Sequence, residues 1–242
     1  MTLNKKDKEL IVISLGGSLV VPGEIDLEFL KNFKKVLQKY FPARNASHND
    51  AGGKKYNFVI LVGGGKVCRN YLKALSEFGM KDADREWLGI KITRLNAEVV
   101  KQLFVKNSYN KVFENPKEKI KTKKEIIVGA GWKPGWSTDY VSVLTAKTYK
   151  VKTIINLTNI DYVYNKNPKE FESAKPFEDI SWKDFQKIVG TKWTPGLSAP
   201  FDPRASLLAG KSKMKVVIIN GKNLERLEDF LNNKPFIGTT IQ

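Results

Sequence analysis

Twice in this chain a short, β-branched apolar run breaks directly into glycines: Leu10-Ile-Val-Ile-Ser-Leu15 into Gly16-Gly17-Ser18, and Asn57-Phe-Val-Ile-Leu-Val62 into Gly63-Gly64-Gly65. A run of five or six apolar residues with no polar alternation is a strand buried on both faces, and a strand of that kind belongs in a parallel sheet covered by helices. Helical spacing follows each unit, at about Leu27 to Tyr40 and through Lys66, Arg69 and Tyr71. Further strands are predicted at Glu125 to Val128, Thr153 to Leu157 and Lys215 to Ile219. Helices are predicted near Trp87 to Lys106, Thr138 to Tyr149, Asp202 to Ala209 and Asn220 to Asn232. This alternation specifies an α/β fold, a three-layer αβα sandwich around a mostly parallel sheet, with the tail Gly238-Thr-Thr-Ile241 expected to close one sheet edge.

Glycine turns between strand and helix let backbone amides approach an anion, and the helix N-terminus adds partial positive charge. Ligands gather at the carboxyl ends of strands in such folds, so the two turns are expected to face one crevice. Arg69 lies one helical turn after Gly65, placed to fold back onto an anion held there. A single glycine turn is weak support, because many exist only for close packing; the pair is stronger. No Walker-type GxxxxGK[ST] and no spaced GxGxxG is present, nor metal-ligand spacing, nor a Ser-His-Asp set.

The chain has 242 residues, enough to bury one core, and one cysteine, Cys68, which excludes an intramolecular disulfide framework. A cytoplasmic setting is expected, and the apolar run behind Met1 to Glu9 is too short for a signal-peptide core or a membrane span. The formal net charge is +17, but the lysines are spread along the whole chain and arginines are few, so general nucleic-acid binding is disfavoured; a basic surface that attracts anionic ligands suffices. The sole histidine, His48, falls in the polar stretch Pro42 to Lys55, an expected exposed loop, and takes no role.

Several segments in order carry a resemblance: Ile13-Ser-Leu-Gly-Gly-Ser18, Val62-Gly-Gly-Gly-Lys-Val-Cys-Arg69, Gly89-Ile-Lys-Ile-Thr-Arg-Leu-Asn-Ala97 and Pro134-Gly-Trp-Ser-Thr-Asp139, then Thr158-Asn-Ile-Asp161, Tyr164, Asp202-Pro203 and the Gly238 to Ile241 tail. Over almost its whole length the chain resembles the uridylate (UMP) kinases, archaeal-type branch, of the amino acid kinase superfamily. The resemblance implies phosphoryl transfer from ATP to UMP by a single domain spanning 1–242, with the acceptor nucleotide held by about 1–150 and ATP by about 151–242. It implies a UMP site at Gly64, Glu86, Trp132, Lys133, Pro134, Gly135, Trp136, Ser137 and Thr138, and ATP contacts at Gly17, Ser18, Gly65, Arg69, Thr158, Tyr164 and Asn167. Arg69 and Asp139 are the implied catalytic pair, and Mg²⁺ is expected on the phosphates with no dedicated protein cage. Homo-oligomers, hexamers above all, are likewise implied.

The chain departs from that pattern at several positions. Ser14 stands where many superfamily members carry a lysine, and Lys66 is a candidate substitute cation, although a lysine at a helix start is as readily just solvated. Glu86 replaces an aspartate that holds the acceptor ribose, with Asp84 as the fallback. Trp132 and Lys133 replace smaller polar residues, while Tyr162 and Asn167 alter the adenosine pocket. The competing readings are a non-catalytic nucleotide-binding or oxoanion-storage protein on the same fold, or another member of the superfamily.

Overall fold

The computed structural model describes residues 9–41, 56–192 and 199–242. The expected loop Pro42 to Lys55 with His48, and the segment before Glu9, lie outside them. The order opens with β1 (Glu9–Leu15), a one-turn α1 (Gly17–Val20), α2 (Leu27–Gln38), β2 (Tyr56–Val62), α3 (Gly65–Glu77) and α4 (Asp82–Leu103). It continues through β3 (Ile126–Gly129), α5 (Thr138–Tyr149), β4 (Thr153–Thr158), β5 (Val163–Tyr164), β6 (Pro176–Phe177) and β7 (Asp179–Ile180). The last elements are α6 (Trp182–Val189), α7 (Pro203–Lys211), β8 (Lys215–Asn220), α8 (Glu225–Leu231) and β9 (Thr239–Ile241).

Seven strands form one sheet in the order β3-β2-β1-β4-β8-β9-β7, parallel throughout except where β9 runs antiparallel to β8. Both halves of the chain therefore build the same sheet. The C-terminal tail does form a strand, but it does not end the sheet as expected. The two-residue β7 pairs outside β9, with the Thr240 N–H donating to the Glu178 carbonyl at 2.7 Å, too short a strand to announce itself by alternation.

Alternation along each buried strand divides the core in two. Ile11, Ile13, Leu15, Phe58, Ile60, Val62, Ile155 and Leu157 face one layer, made by α1, α2, α4 and α8. Val12, Val59, Leu61, Ile154, Val216 and Ile218 face the other, made by α5, α6 and α7. The helices dock because their apolar positions recur at helical spacing and their ends are capped. In α2 Phe29, Leu30, Phe33, Val36 and Leu37 are buried, and the Asp26 carboxylate accepts the Phe29 N–H at 2.8 Å. Helix α7 starts with Pro203 behind the N-cap Asp202, whose carboxylate accepts the Ala205 N–H at 2.6 Å.

The chain leaves β1 on one side to reach β2 and β3 and returns on the other side to β4 and β8. This puts the reversal of strand order at β1, where the crevice of an open α/β sheet opens at the carboxyl ends.

Candidate active site

The two glycine turns meet. A Cβ on Gly17 would overlap the backbone of Gly63 and Gly65, and one on Gly65, which sits at φ +70°, would overlap the Gly17 carbonyl. Glycine is therefore required at both positions for close approach, and at Gly65 for its backbone conformation too. The turns are held from below: Gly63 donates its N–H to the Leu15 carbonyl at 2.9 Å, and Gly16 donates to the Leu157 carbonyl at 2.8 Å, joining β1 to β2 on one side and β4 on the other. Buried Asn96 of α4 donates its amide to the carbonyls of Gly63 and Gly64, at 3.0 and 3.2 Å, which fixes how these peptides are turned.

Beside these turns lies a cavity of about 230 Å³ lined by Gly64, Gly65, Cys68, Arg69, Leu72, Glu86, Gly89, Ile90, Thr93, Gly131, Trp136, Ser137 and Thr138. Seven of the residues implied as nucleotide contacts meet in it: Gly64, Gly65, Arg69, Glu86, Trp136, Ser137 and Thr138. Trp132, Lys133, Pro134 and Gly135 are absent from that lining and form the segment leading into it. There the Trp132 ring packs on Trp136, centroids 5.3 Å apart, and the Lys133 ammonium lies 4.4 Å from the Trp132 ring centroid. Of the two carboxylates considered for the acceptor ribose, Glu86 lines the cavity while Asp84 is exposed. Glu86 also accepts the Gly135 N–H. Arg69 is exposed toward solvent and lines the cavity at the same time, as a residue one turn into a helix does; Lys66 is exposed and outside the lining.

Next to the cavity two carboxyl groups adjoin, that of buried Asp202 and that of half-buried Asp139. Asp139, in the first turn of α5, accepts the Ser14 hydroxyl at 2.9 Å on one oxygen and the Asp202 backbone N–H at 3.1 Å on the other. Burial, reinforced by the neighbouring Asp202 charge, pushes its carboxyl up to about 7. Burial likewise raises Asp202. Ser14 sits at the carboxyl end of β1 on the α5 side of the sheet, so the residue in the lysine position supplies a hydroxyl and no charge.

A site of glycine amides, one arginine and a high-pKa carboxyl is suited to hold phosphates close together without contributing a nucleophile of its own. Over residues 9–220 the sequence matches the family model described as amino acid kinase family. The chain belongs to the amino acid kinase family.

Within it, the chain is 33% identical over 236 residues to the uridylate kinase of Pyrococcus abyssi, covering 96% of this chain and 99% of that one. It is 30% identical to the uridylate kinase of Thermoplasma volcanium, covering 97% and 98%. The crystal structure of uridylate kinase from Archaeoglobus fulgidus superposes with a TM-score of 0.75 at 28% identity, over 97% of this chain and 100% of that one. UMP kinase from Ureaplasma parvum, at 19% identity and a TM-score of 0.72, shares the fold.

The remaining implied contacts of this amino acid kinase lie on the other side of β1. Thr158 ends β4, its carbonyl accepting the Gly221 N–H at 2.8 Å. The turn behind it is tied down by Asp161, which pairs with Arg226 of α8 and accepts the Asn220 amide at 2.9 Å; the Arg226 and Asn220 hydrogen bonds hold its carboxyl below the usual range. Tyr164 follows in β5, its ring edge-on to Tyr162 at 6.4 Å. Asn167 is exposed and engaged in its own turn, accepting the Lys169 N–H at 3.1 Å and donating to Glu170 at 2.6 Å. None of Thr158, Tyr164 and Asn167 lines the cavity beside Gly64.

Site residues that sequence reasoning passed over are Asp202, Thr93, Asn96 and Cys68. Thr93 accepts the Gly131 N–H at 2.9 Å and donates to the Ile90 carbonyl at 2.7 Å, fastening the end of β3 to α4. Asp202-Pro203 reads in sequence as a helix start and as one marker of the resemblance, with no role in the site. Only the neighbouring Asp139 gives its carboxyl a second meaning.

Proposed function

We propose that this amino acid kinase is a uridylate kinase, transferring the γ-phosphoryl group of ATP to UMP to give UDP and ADP. The observation that carries the reading is the single cavity in which Gly64, Gly65, Arg69, Glu86, Trp136, Ser137 and Thr138 meet, in a chain whose relatives over nearly its full length are named uridylate kinases. UMP occupies that cavity, with its phosphate toward Gly64 and toward Arg69, which the resemblance assigns to ATP but which lines this cavity, its ribose toward Glu86 and its base against Trp136, Ser137 and Thr138. ATP lies across β1, its phosphates over Gly17, Ser18 and Gly65 and its adenosine end toward Thr158, Tyr164 and Asn167. Residues to about 150 thus hold the acceptor and, through the two glycine turns, the donor's phosphates, while those from about 151 hold its adenosine end.

Phosphoryl transfer demands alignment and charge neutralisation more than covalent help. The amides at the two glycine turns and the Arg69 guanidinium face charge on the phosphates, and Lys66, exposed at the start of α3, is a candidate substitute for the cation missing at Ser14. Mg²⁺ would be held mainly by the ATP phosphates, where it would supply charge neutralisation, and Asp139 is the carboxyl this chain would offer beside it. The chain works as a homo-oligomer, a hexamer, in the cytoplasm. Tyr71, Trp87 and Leu95, apolar side chains on α3 and α4 that are 54%, 46% and 67% exposed, support self-association. No helix among the described residues is long and apolar enough to cross a membrane.

The test is ADP release from ATP and Mg²⁺ with UMP, CMP, GMP, AMP or no acceptor. Release with UMP, lost in Asp139→Asn, is the expected outcome. Binding of UMP with no turnover would move the chain to a storage or sensing role.

A further inference from the structure

Gly135 occupies the loop between β3 and α5 at φ +84°, and both polar groups of its backbone are gripped by side chains from elsewhere in the fold. Its N–H donates to Glu86 of α4. Its carbonyl accepts from Arg204 Nη1, in the first turn of α7, at 2.8 Å. The same guanidinium carbon lies 5.9 Å from the Trp136 ring centroid and 5.6 Å from that of Tyr140, and those two rings meet edge to face at 4.5 Å. Trp136 is a wall of the cavity; Arg204 is outside its lining.

We propose that Arg204 is a positioning residue of the acceptor site, whose guanidinium fixes Gly135 and Trp136 in the one shape that makes Trp136 a wall for the acceptor nucleotide. The proposal rests on the uridylate kinase reading and adds a residue to it. Residues 130–137 lie outside helix and strand, and a Cβ at Gly135 would touch nothing within 4 Å, so no packed neighbour confines the chain on the Cβ side of Gly135 itself. A planar guanidinium supplies what packing does not, a charge-assisted hydrogen bond and a stacked face together, and a lysine offers only the first. The arrangement also joins acceptor and catalytic elements. Arg204 follows two residues after Asp202, whose N–H donates to Asp139, so the helix that clamps the acceptor wall is the helix that touches the buried carboxyl.

The experiment measures KM and kcat for UMP and for ATP, with melting temperature and the quenching of tryptophan fluorescence by UMP, in the full chain and its Arg204→Ala and Arg204→Lys variants. Loss of one charge-assisted hydrogen bond and its stacking should raise the UMP KM of Arg204→Ala about tenfold and leave the ATP KM within about twofold. The UMP quench should shift to higher concentration in step, and Arg204→Lys should fall between the wild type and the alanine variant. A lower melting temperature with an unchanged UMP KM would make Arg204 a structural residue and overturn the proposal. Should Arg204→Ala fail to fold, an unchanged UMP KM in Arg204→Lys does the same. Wild-type protein that turns over no UMP overturns the uridylate kinase reading and takes this proposal with it.

Discussion

Asp139 is held between a hydroxyl and a backbone amide, with no cation paired to it among the described residues. Its folded value of about 7 lies above the ordinary 3.8, so the folded state holds the proton more tightly. The stability contributed by this group is therefore present below about pH 4 and lost as pH rises through about 7. Asp139→Asn, neutral at every pH, is expected to abolish UMP turnover and yet to melt higher than the wild type at about pH 8, with the advantage shrinking toward about pH 5. Paired thermal melts at the two pH values check the sign, and a variant less stable at both counts against a buried, unbalanced carboxyl. Gly17→Ala tests the contact between the turns. A methyl there overlaps the Gly63 and Gly65 backbones, so activity should be lost with at least about 2 kcal/mol of stability, read by denaturant unfolding.

Elements that carry their own local signals were legible in sequence. Helix α5 spans Thr138–Tyr149 as its pattern predicts, because Ser137 accepts the Tyr140 N–H at 3.1 Å at one end and Lys150 adopts a left-handed φ of 60° at the other. Removing that cap in Ser137→Ala should cost about 1 kcal/mol and weaken UMP binding, since the same residue lines the cavity. In α2, Phe33 is fully buried against Phe29 and Phe104, and Phe33→Ala should cost about 3–5 kcal/mol in urea unfolding with little change in UMP KM. The shortest of the elements that were missed lack such signals. Four-residue α1 and two-residue β7 are too short for a period, and they exist because the glycine contact and strand β9 hold them in place. Eight-residue α6 was legible in principle: Ser181 accepts the Asp184 N–H at 3.1 Å, and Gly190 follows the helix.

At the scale of the molecule, the proposed self-association is tested at the exposed apolar side chains of α3 and α4. Leu95→Glu is expected to lower the mass seen by sedimentation while leaving the thermal midpoint of the monomer close to unchanged, because a charge is tolerated on a solvated face and not in an apolar contact. An unchanged mass would place the contact between copies elsewhere. The parallel sheet, its two covering layers and the two glycine turns at its strand ends follow from sequence alone, since apolar runs, glycines and caps act through neighbours a few residues away. What depends on the path of the chain in space was decided only by the fold. Asp202 comes to lie beside Asp139, 63 residues away in sequence, and Arg204 reaches Gly135 across 69. Glu86 is chosen over Asp84 because the turn of α4 aims one carboxylate into the cavity and leaves the other in solvent. Periodicity records which face of an element is buried, but not which other element it meets, and the chemistry of this site arises where β1, α5 and α7 converge.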